Sequence, residues 1–276
     1  MCLIALAWRA HPAHRLIVAA NRDEYFGRAA AKAGFWDDHP HVLAGRDLEA
    51  GGTWLGISLE GRFAALTNYR NPADRRTDAP SRGALVSNFL VGKAGPAGYL
   101  KAIEKEAARY NGFSLLVADE DSLWFFSNRG DPPLRVPPGV HGLSNHLLDT
   151  PWPKVERAKA RLAAQLEEGV DAEAAFRLLD DTERAPSAVL PSTGVSLELE
   201  ERLSAIRILA SGGYGTRCST FVCFGKDGRV ELHERSYREA GGVSGMISYR
   251  LALAGKGRGS SRRAESPPPG TPLPAR

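Results

Sequence analysis

Cysteine is scarce in this sequence: 276 residues hold three, at positions 2, 218 and 223. Three thiols build no disulfide framework, no pair has zinc-ribbon spacing and no CxxC occurs. A stapled secreted scaffold and a structural zinc site are therefore excluded, and a reducing cytoplasm is the expected setting. Long apolar runs are missing as well. None approaches the roughly 18 residues of a membrane span, and the apolar opening breaks at Arg9 without a basic leader or a small-residue cleavage site. Charge of one sign is missing too. The net charge is +4, and much of the excess lies in Lys256, Arg258, Arg262, Arg263 and Arg276, set against Glu265. The body is close to neutral, which leaves no case for a nucleic-acid surface. No internal repeat is evident. What is present, 43% hydrophobic and 25% charged residues, suits a globular chain with a substantial core.

The order of patterns predicts an α+β architecture. CLIALAW and RLIVAA, separated by HPAH, read as a buried hairpin with the cluster Asn21-Arg22-Asp23-Glu24 at the exit of its second strand. TWLGISL and RFAALTNY form a second hairpin around Glu60-Gly61, and the glycines of GGTWLG before it predict a bulge or tight approach. SRGALVSNFLVG and AGYLKAIEKEAARY have helical spacing. FSLLVAD and SLWFFSN make a third hairpin, and GVHGLSN reads as a further strand. KVERAKARLAAQLEEG, closed by Gly169, and DAEAAFRLLDD are helices. RCSTFVCFG and RVELHERSY, joined at Lys226-Asp227-Gly228, form the final regular unit. Blocks of hairpins and helix pairs suit antiparallel sheets covered by helices. A single domain over residues 1–254 is expected, followed by a low-complexity, disordered tail over 255–276.

The chemistry concentrates at the start. Methionine is normally trimmed before a small residue, so the mature chain is expected to begin at Cys2, with a thiol and a free α-amine on one carbon. An α-amine ordinarily titrates at roughly 7.7–8.0. It can take the thiol proton without a separate histidine, and backbone or asparagine donors can hold the oxyanion that follows. The alternative reading of Cys2 is a small apolar residue that opens a strand. If the first two strands pair, Arg22 and Asp23 come near the level of Cys2. Arg22 would then lower the thiol pKa, and Asp23 would orient the amine; the alternative is a solvated surface turn. Asn68, Asn145 and Arg217 are polar residues in apolar contexts. The asparagines suit oxyanion donors or turn residues, and Arg217 suits a carboxylate. Cys218 and Cys223, five apart in one strand, point to opposite faces and read as core.

In this order, MCLIALAW, AANRDE, AGGTWLGIS, TNYRNP, GLSN and YGTRCST resemble the NRDE family, also called transport-and-Golgi-organisation-2-like, over roughly residues 2–237. The resemblance implies the four-layer αββα sandwich of the N-terminal-nucleophile hydrolases. Cysteine members of that superfamily, the cholylglycine hydrolases and penicillin V acylases, cleave linear amides. By similarity Cys2 is the nucleophile and its α-amine the base. Arg22 and Asp23 are the charged partners, Asn68 and Asn145 oxyanion or amine-orienting groups, and Arg217 a late-strand arginine. The acylases separate arginine from aspartate by two residues, whereas Arg22 and Asp23 are adjacent. Neighbours on a strand face opposite sides, so both reach Cys2 only if the strand ends or bulges there.

The same family is implicated in haem trafficking and in lipid and acyl-CoA homeostasis. Two functions therefore stand. One is a cysteine amidohydrolase needing no cofactor and acting on a small-molecule amide. The other is a non-catalytic carrier of haem or another amphipathic ligand. No CxxCH or Cys-Pro occurs, and Cys2, His146 and His41 are axial-ligand candidates by residue type alone. The remaining histidines mostly adjoin Pro or Gly, as loop histidines do.

Overall fold

A computed structural model describes residues 2–253; the expected tail over 255–276 lies outside the described residues. The strands are β1 (Cys2–Trp8), β2 (His14–Tyr25), β3 (Ala30–Phe35), β4 (Val42–Asp47), β5 (Leu55–Ser58), β6 (Phe63–Asn68), β7 (Phe113–Ala118), β8 (Leu123–Ser127), β9 (Leu134–Arg135), β10 (Gly139–Leu143), β11 (Tyr214–Gly225), β12 (Arg229–Tyr237) and β13 (Val243–Ala252). The α-helices are α1 (Gly83–Val91), α2 (Pro96–Glu106), α3 (Pro153–Glu168), α4 (Ala172–Leu179) and α5 (Leu197–Leu203).

The strands make two antiparallel sheets. One has six strands in the order β10-β1-β2-β11-β12-β13, and the other has seven, β3 to β9 in sequence order. Strand alternation gives each sheet two apolar faces. Ile4, Leu6, Val18 and Val222 of the first sheet pack against Leu55, Phe63, Leu116 and Phe125 of the second, which makes the central core. The outer face of the six-stranded sheet (Leu3, Ala5, Ile17 and Phe221) packs on Val155, Leu162, Phe176 and Leu179 of α3 and α4. The outer face of the seven-stranded sheet packs on Leu85, Phe89 and Leu90 of α1 and Leu100 of α2. The layers are therefore α, β, β, α.

Local signals set the helix ends. Pro153 opens α3, and Gly169, at φ 118°, closes it. Asp171 caps α4 by accepting from the Ala174 N–H. The hairpins expected around Glu60-Gly61, between FSLLVAD and SLWFFSN, and around Lys226–Gly228 all form.

Three expectations need correction. The Asn21–Glu24 cluster is not at a strand exit, because β2 continues through it to Tyr25; β11 lies alongside and satisfies that backbone. RVELHERSY is not the final regular unit, since β13 follows and pairs with it. Its inward-facing Ile247, Tyr249 and Leu251 pack on the central core, while the residues between them stay exposed. GVHGLSN is a strand only to Leu143, because Asn145 takes a left-handed conformation (φ 55°). β3 and β4 carried no sequence signal of their own.

Candidate active site

The inter-sheet face of the six-stranded sheet changes character from one end to the other. Trp8, Leu16, Phe224 and Val230 form one cross-strand row, and Leu6, Val18, Val222 and Leu232 the next. Then come Ile4, Ala20, Thr220 and Glu234, and finally Cys2, Arg22, Cys218 and Ser236. Polar and ionisable groups thus replace the apolar core where β1 begins. A cavity of about 930 Å³ opens there. All six residues singled out from the sequence line it: Cys2, Arg22, Asp23, Asn68, Asn145 and Arg217.

They reach it from different sides. Arg22 lies directly opposite Cys2 on β2 and shares its face. Asp23 belongs to the helix-facing side, as does Asn21, whose amide donates to the carbonyls of Leu179 and Ile206, each at 2.9 Å. Asp23 Oδ1 accepts from Thr216 Oγ1 at 2.6 Å, and the Asp23 N–H is hydrogen-bonded to the Cys2 thiol. The adjacent pair therefore brackets Cys2 from opposite faces of the sheet. The register slips between Thr216 and Cys218, so Arg217 is the bulged residue. Its guanidinium donates to the carbonyls of Tyr25 and Arg28.

The two asparagines join the sheets. Asn68 ends β6, and Asn145, fully buried, donates from Nδ2 to the Asn68 carbonyl at 3.0 Å. Its neighbour Ser144 donates to the Cys2 carbonyl at 3.0 Å. One Asn145 amide hydrogen is thus spent on holding β6 to the end of β10.

The electrostatics correct a further expectation. Burial pushes the Cys2 thiol above its ordinary value. The Asp23 N–H and Arg22 oppose that rise only in part, and the Asp23 charge adds to it. The net direction is therefore upward, not the lowering expected beside Arg22. Burial likewise raises the Asp23 carboxyl, against Lys154, the Thr216 hydrogen bond and Arg70.

Several residues at the site were missed. Cys218, read as core, lines the cavity; Cys223, on the other face, does pack in the core. Burial, and then the neighbouring Glu234, push the Cys218 thiol well up. Glu234 accepts from the Ala33 N–H at 3.0 Å. Arg70 pairs with Glu200 at 2.6 Å, both at most 5% exposed. The signal for Arg70 and Cys218 was their place inside TNYRNP and YGTRCST; for Glu200, Glu234 and Lys154 there was none. The histidines are less loop-bound than expected, since His14, His141 and His233 lie in strands. His41 and His146 do not line the cavity, and both ring nitrogens of His146 are engaged, by Tyr69 Oη at 2.7 Å and Thr150 Oγ1 at 2.8 Å. The lining therefore does not suit a histidine-ligated haem. Among the described residues no helix is long and apolar enough to cross a membrane.

A family model described as Transport and Golgi organisation 2 matches residues 1–239. The chain is 37% identical over 257 residues to the mouse (Mus musculus) protein "Transport and Golgi organization 2 homolog", covering 86% of this chain and 93% of that one. The human (Homo sapiens) "Transport and Golgi organization protein 2 homolog" gives the same identity and coverage. Among solved structures, the C2A mutant of a conjugated bile acid hydrolase from Clostridium perfringens superposes with a TM-score of 0.50 at 9% identity, covering 91% of this chain and 92% of that one. That likeness is one of fold: the αββα sandwich is that of the N-terminal-nucleophile hydrolases.

Proposed function

The chain belongs to the Transport and Golgi organisation 2 family, and we propose that it is an N-terminal-nucleophile hydrolase that cleaves a linear amide bond in a reducing compartment such as the cytoplasm. The observation that carries this reading is the position of Cys2. It begins β1, faces the space between the sheets and lies on the cavity wall with Arg22 opposite it.

Once Met1 is removed, the Cys2 α-amine takes the proton from the thiol as sulfur attacks the amide carbonyl. A raised thiol pKa suits this step, because the proton leaves only when the substrate is in place. The carbonyl oxygen becomes an oxyanion held by donors from the Asn68 and Asn145 side of the cavity. The ammonium returns its proton to the leaving nitrogen, the C–N bond breaks and a thioester remains. Water, deprotonated by the same amine, then releases the acid and restores the thiol. Asp23 orients the amine, while Arg22 and Arg217 stabilise negative charge on the substrate.

Three measurements test this reading. Intact mass is expected to show a chain beginning at Cys2, and retained Met1 or an acetylated Cys2 would overturn the mechanism. Against a panel of N-acyl amides, Cys2→Ala is expected to abolish turnover with ligand affinity nearly intact; persisting turnover removes Cys2 as nucleophile. A parallel haem titration covers the carrier reading, for which a cavity of this volume also has room. Stoichiometric haem binding without amide turnover would replace hydrolysis with carriage.

A further inference from the structure

A lysine occupies a core position on the helix layer that packs against β1 and β10. Lys154, in the first turn of α3, belongs to the helix's inner face with Val155, Ala158 and Leu162. It is 1% exposed, and its Nζ makes no hydrogen bond among the described residues. An uncompensated buried ammonium costs several kcal/mol, so its charge has to be balanced through space. The ionisable groups that act on it come from several segments: Arg70 from the segment after β6, Asp23 from β2, Cys2 from β1 and Glu200 from α5. Lys154, Arg70 and Glu200 also share the wall of a small cavity of about 10 Å³ beside Trp152. Two cations thus face two acids. Glu200 pairs with Arg70 at 2.6 Å, and Asp23, on the helix-facing side of β2, is the acid of this group whose backbone N–H reaches the Cys2 thiol.

We propose that Lys154 is a positioning residue for the Cys2 centre, its ammonium on the helix side of the sheet keeping Asp23 ionised so that Asp23 can hold the α-amine. The proposal deepens the hydrolase reading by adding a residue that touches neither substrate nor thiol. Burial pushes Lys154 down to about 8, with Arg70 acting in the same sense and Asp23, Cys2 and Glu200 opposing. The charge on which Asp23 depends is therefore one that can be lost within a couple of pH units of neutrality.

The test reads protonation rather than turnover. Full-length protein labelled with 13C in Asp and Lys is titrated by NMR, with Asp23 assigned through Asp23→Asn and Lys154 through Lys154→Met. In Lys154→Met the Asp23 carboxyl midpoint is expected to rise by about one pH unit or more, a tenfold change in proton affinity. Coupling is reciprocal, so in Asp23→Asn the Lys154 ε-carbon midpoint is expected to fall. Lys154→Arg should restore the Asp23 titration. A packing role alone would lower the melting temperature of Lys154→Met and leave the Asp23 midpoint in place, and that result overturns the proposal. So does an unchanged Lys154 midpoint in Asp23→Asn, which decides the matter if Lys154→Met fails to fold. Absence of amide turnover in the wild type would count against the hydrolase reading, while these titrations would still decide the role of Lys154.

Discussion

Cys2 and Cys218 face the same cavity, two strands apart with Arg22 between them, and Arg22 opposes the burial-driven rise of both thiols. The Asp23 N–H further opposes the rise at Cys2, whereas Glu234 adds, by charge and by hydrogen bond, to the rise at Cys218, which lies well above its ordinary value. Burial raises Cys223 to about 12. Brief iodoacetamide treatment followed by peptide mapping is expected to label Cys2 first, and Arg22→Gln is expected to slow it. Equal labelling of the three thiols would mark Cys2 as inert. A second residue-scale prediction concerns His141, whose Nδ1 lies 2.6 Å from Asp149 Oδ2. That hydrogen bond raises the His141 pKa against burial. Burial works to raise Asp149, and His141, the Gly142 N–H and Lys159 together outweigh it, so Asp149 lies below its ordinary value. The histidine's contribution to stability is complete below the unfolded pKa of roughly 6.5 and is lost as pH rises through the higher folded value. The aspartate's contribution is present above roughly 3.9 and is lost as pH falls through the lower folded value. The stability gap between wild type and Asp149→Asn, from urea midpoints, should therefore be widest near pH 5 and narrow above neutrality. A gap that stays flat from pH 5 to 9 would remove the pair from the stability of the fold.

At the scale of elements, the site depends on how a loop meets a helix start. A Cβ at Gly52 would lie 2.5 Å from the Gly83 carbonyl carbon and 2.8 Å from the Ala84 nitrogen. Both are backbone atoms of the first turn of α1 and cannot swing aside. Gly51 beside it adopts φ 75°, so the glycine pair expected to mark a tight approach does so. Thr53, Arg82 and Gly83, at this junction, all line the cavity. Gly52→Ala is accordingly expected to cost about 1–3 kcal/mol, measured by chemical denaturation, and to weaken ligand binding through the displaced rim. Wild-type stability and affinity would show that the junction has slack. The continuation of β2 acts at the same scale. Because β2 stays paired with β11 through the Asn21–Glu24 cluster, Arg22 and Asp23 have to take opposite faces.

Across the whole molecule, one inter-sheet core joins both sheets. Phe63, fully buried on β6, belongs to the same cluster as Leu6, Val18 and Val222 of the other sheet. Phe63→Ala is expected to cost about 3–5 kcal/mol. Far-UV and near-UV signals should move together in a single transition, because neither sheet has a separate core on that side. Two resolved transitions would show that the sheets unfold independently.

Alternation of apolar residues, helical spacing, proline and glycine at helix ends and turn residues act over a few positions, so they determined most hairpins and four of the five α-helices among the described residues. They also placed a cysteine behind the initiator methionine and the NRDE cluster one strand later, which is enough to locate the chemistry. β3, β4 and β13 lacked such local signals. Their residues are ordered by neighbouring strands and by the packed second layer, and that is information from elsewhere in the chain. The same reason explains the site residues that escaped notice. Cys218 looked like core because strand periodicity says that a residue faces inward, and at this end of the sheet inward means the cavity. Lys154 looked like an ordinary helix lysine until folding set it against Asp23, Arg70 and Glu200, from segments far apart in sequence. Burial, which raises the Cys2 thiol against the pull of Arg22, exists only once both sheets have closed over it.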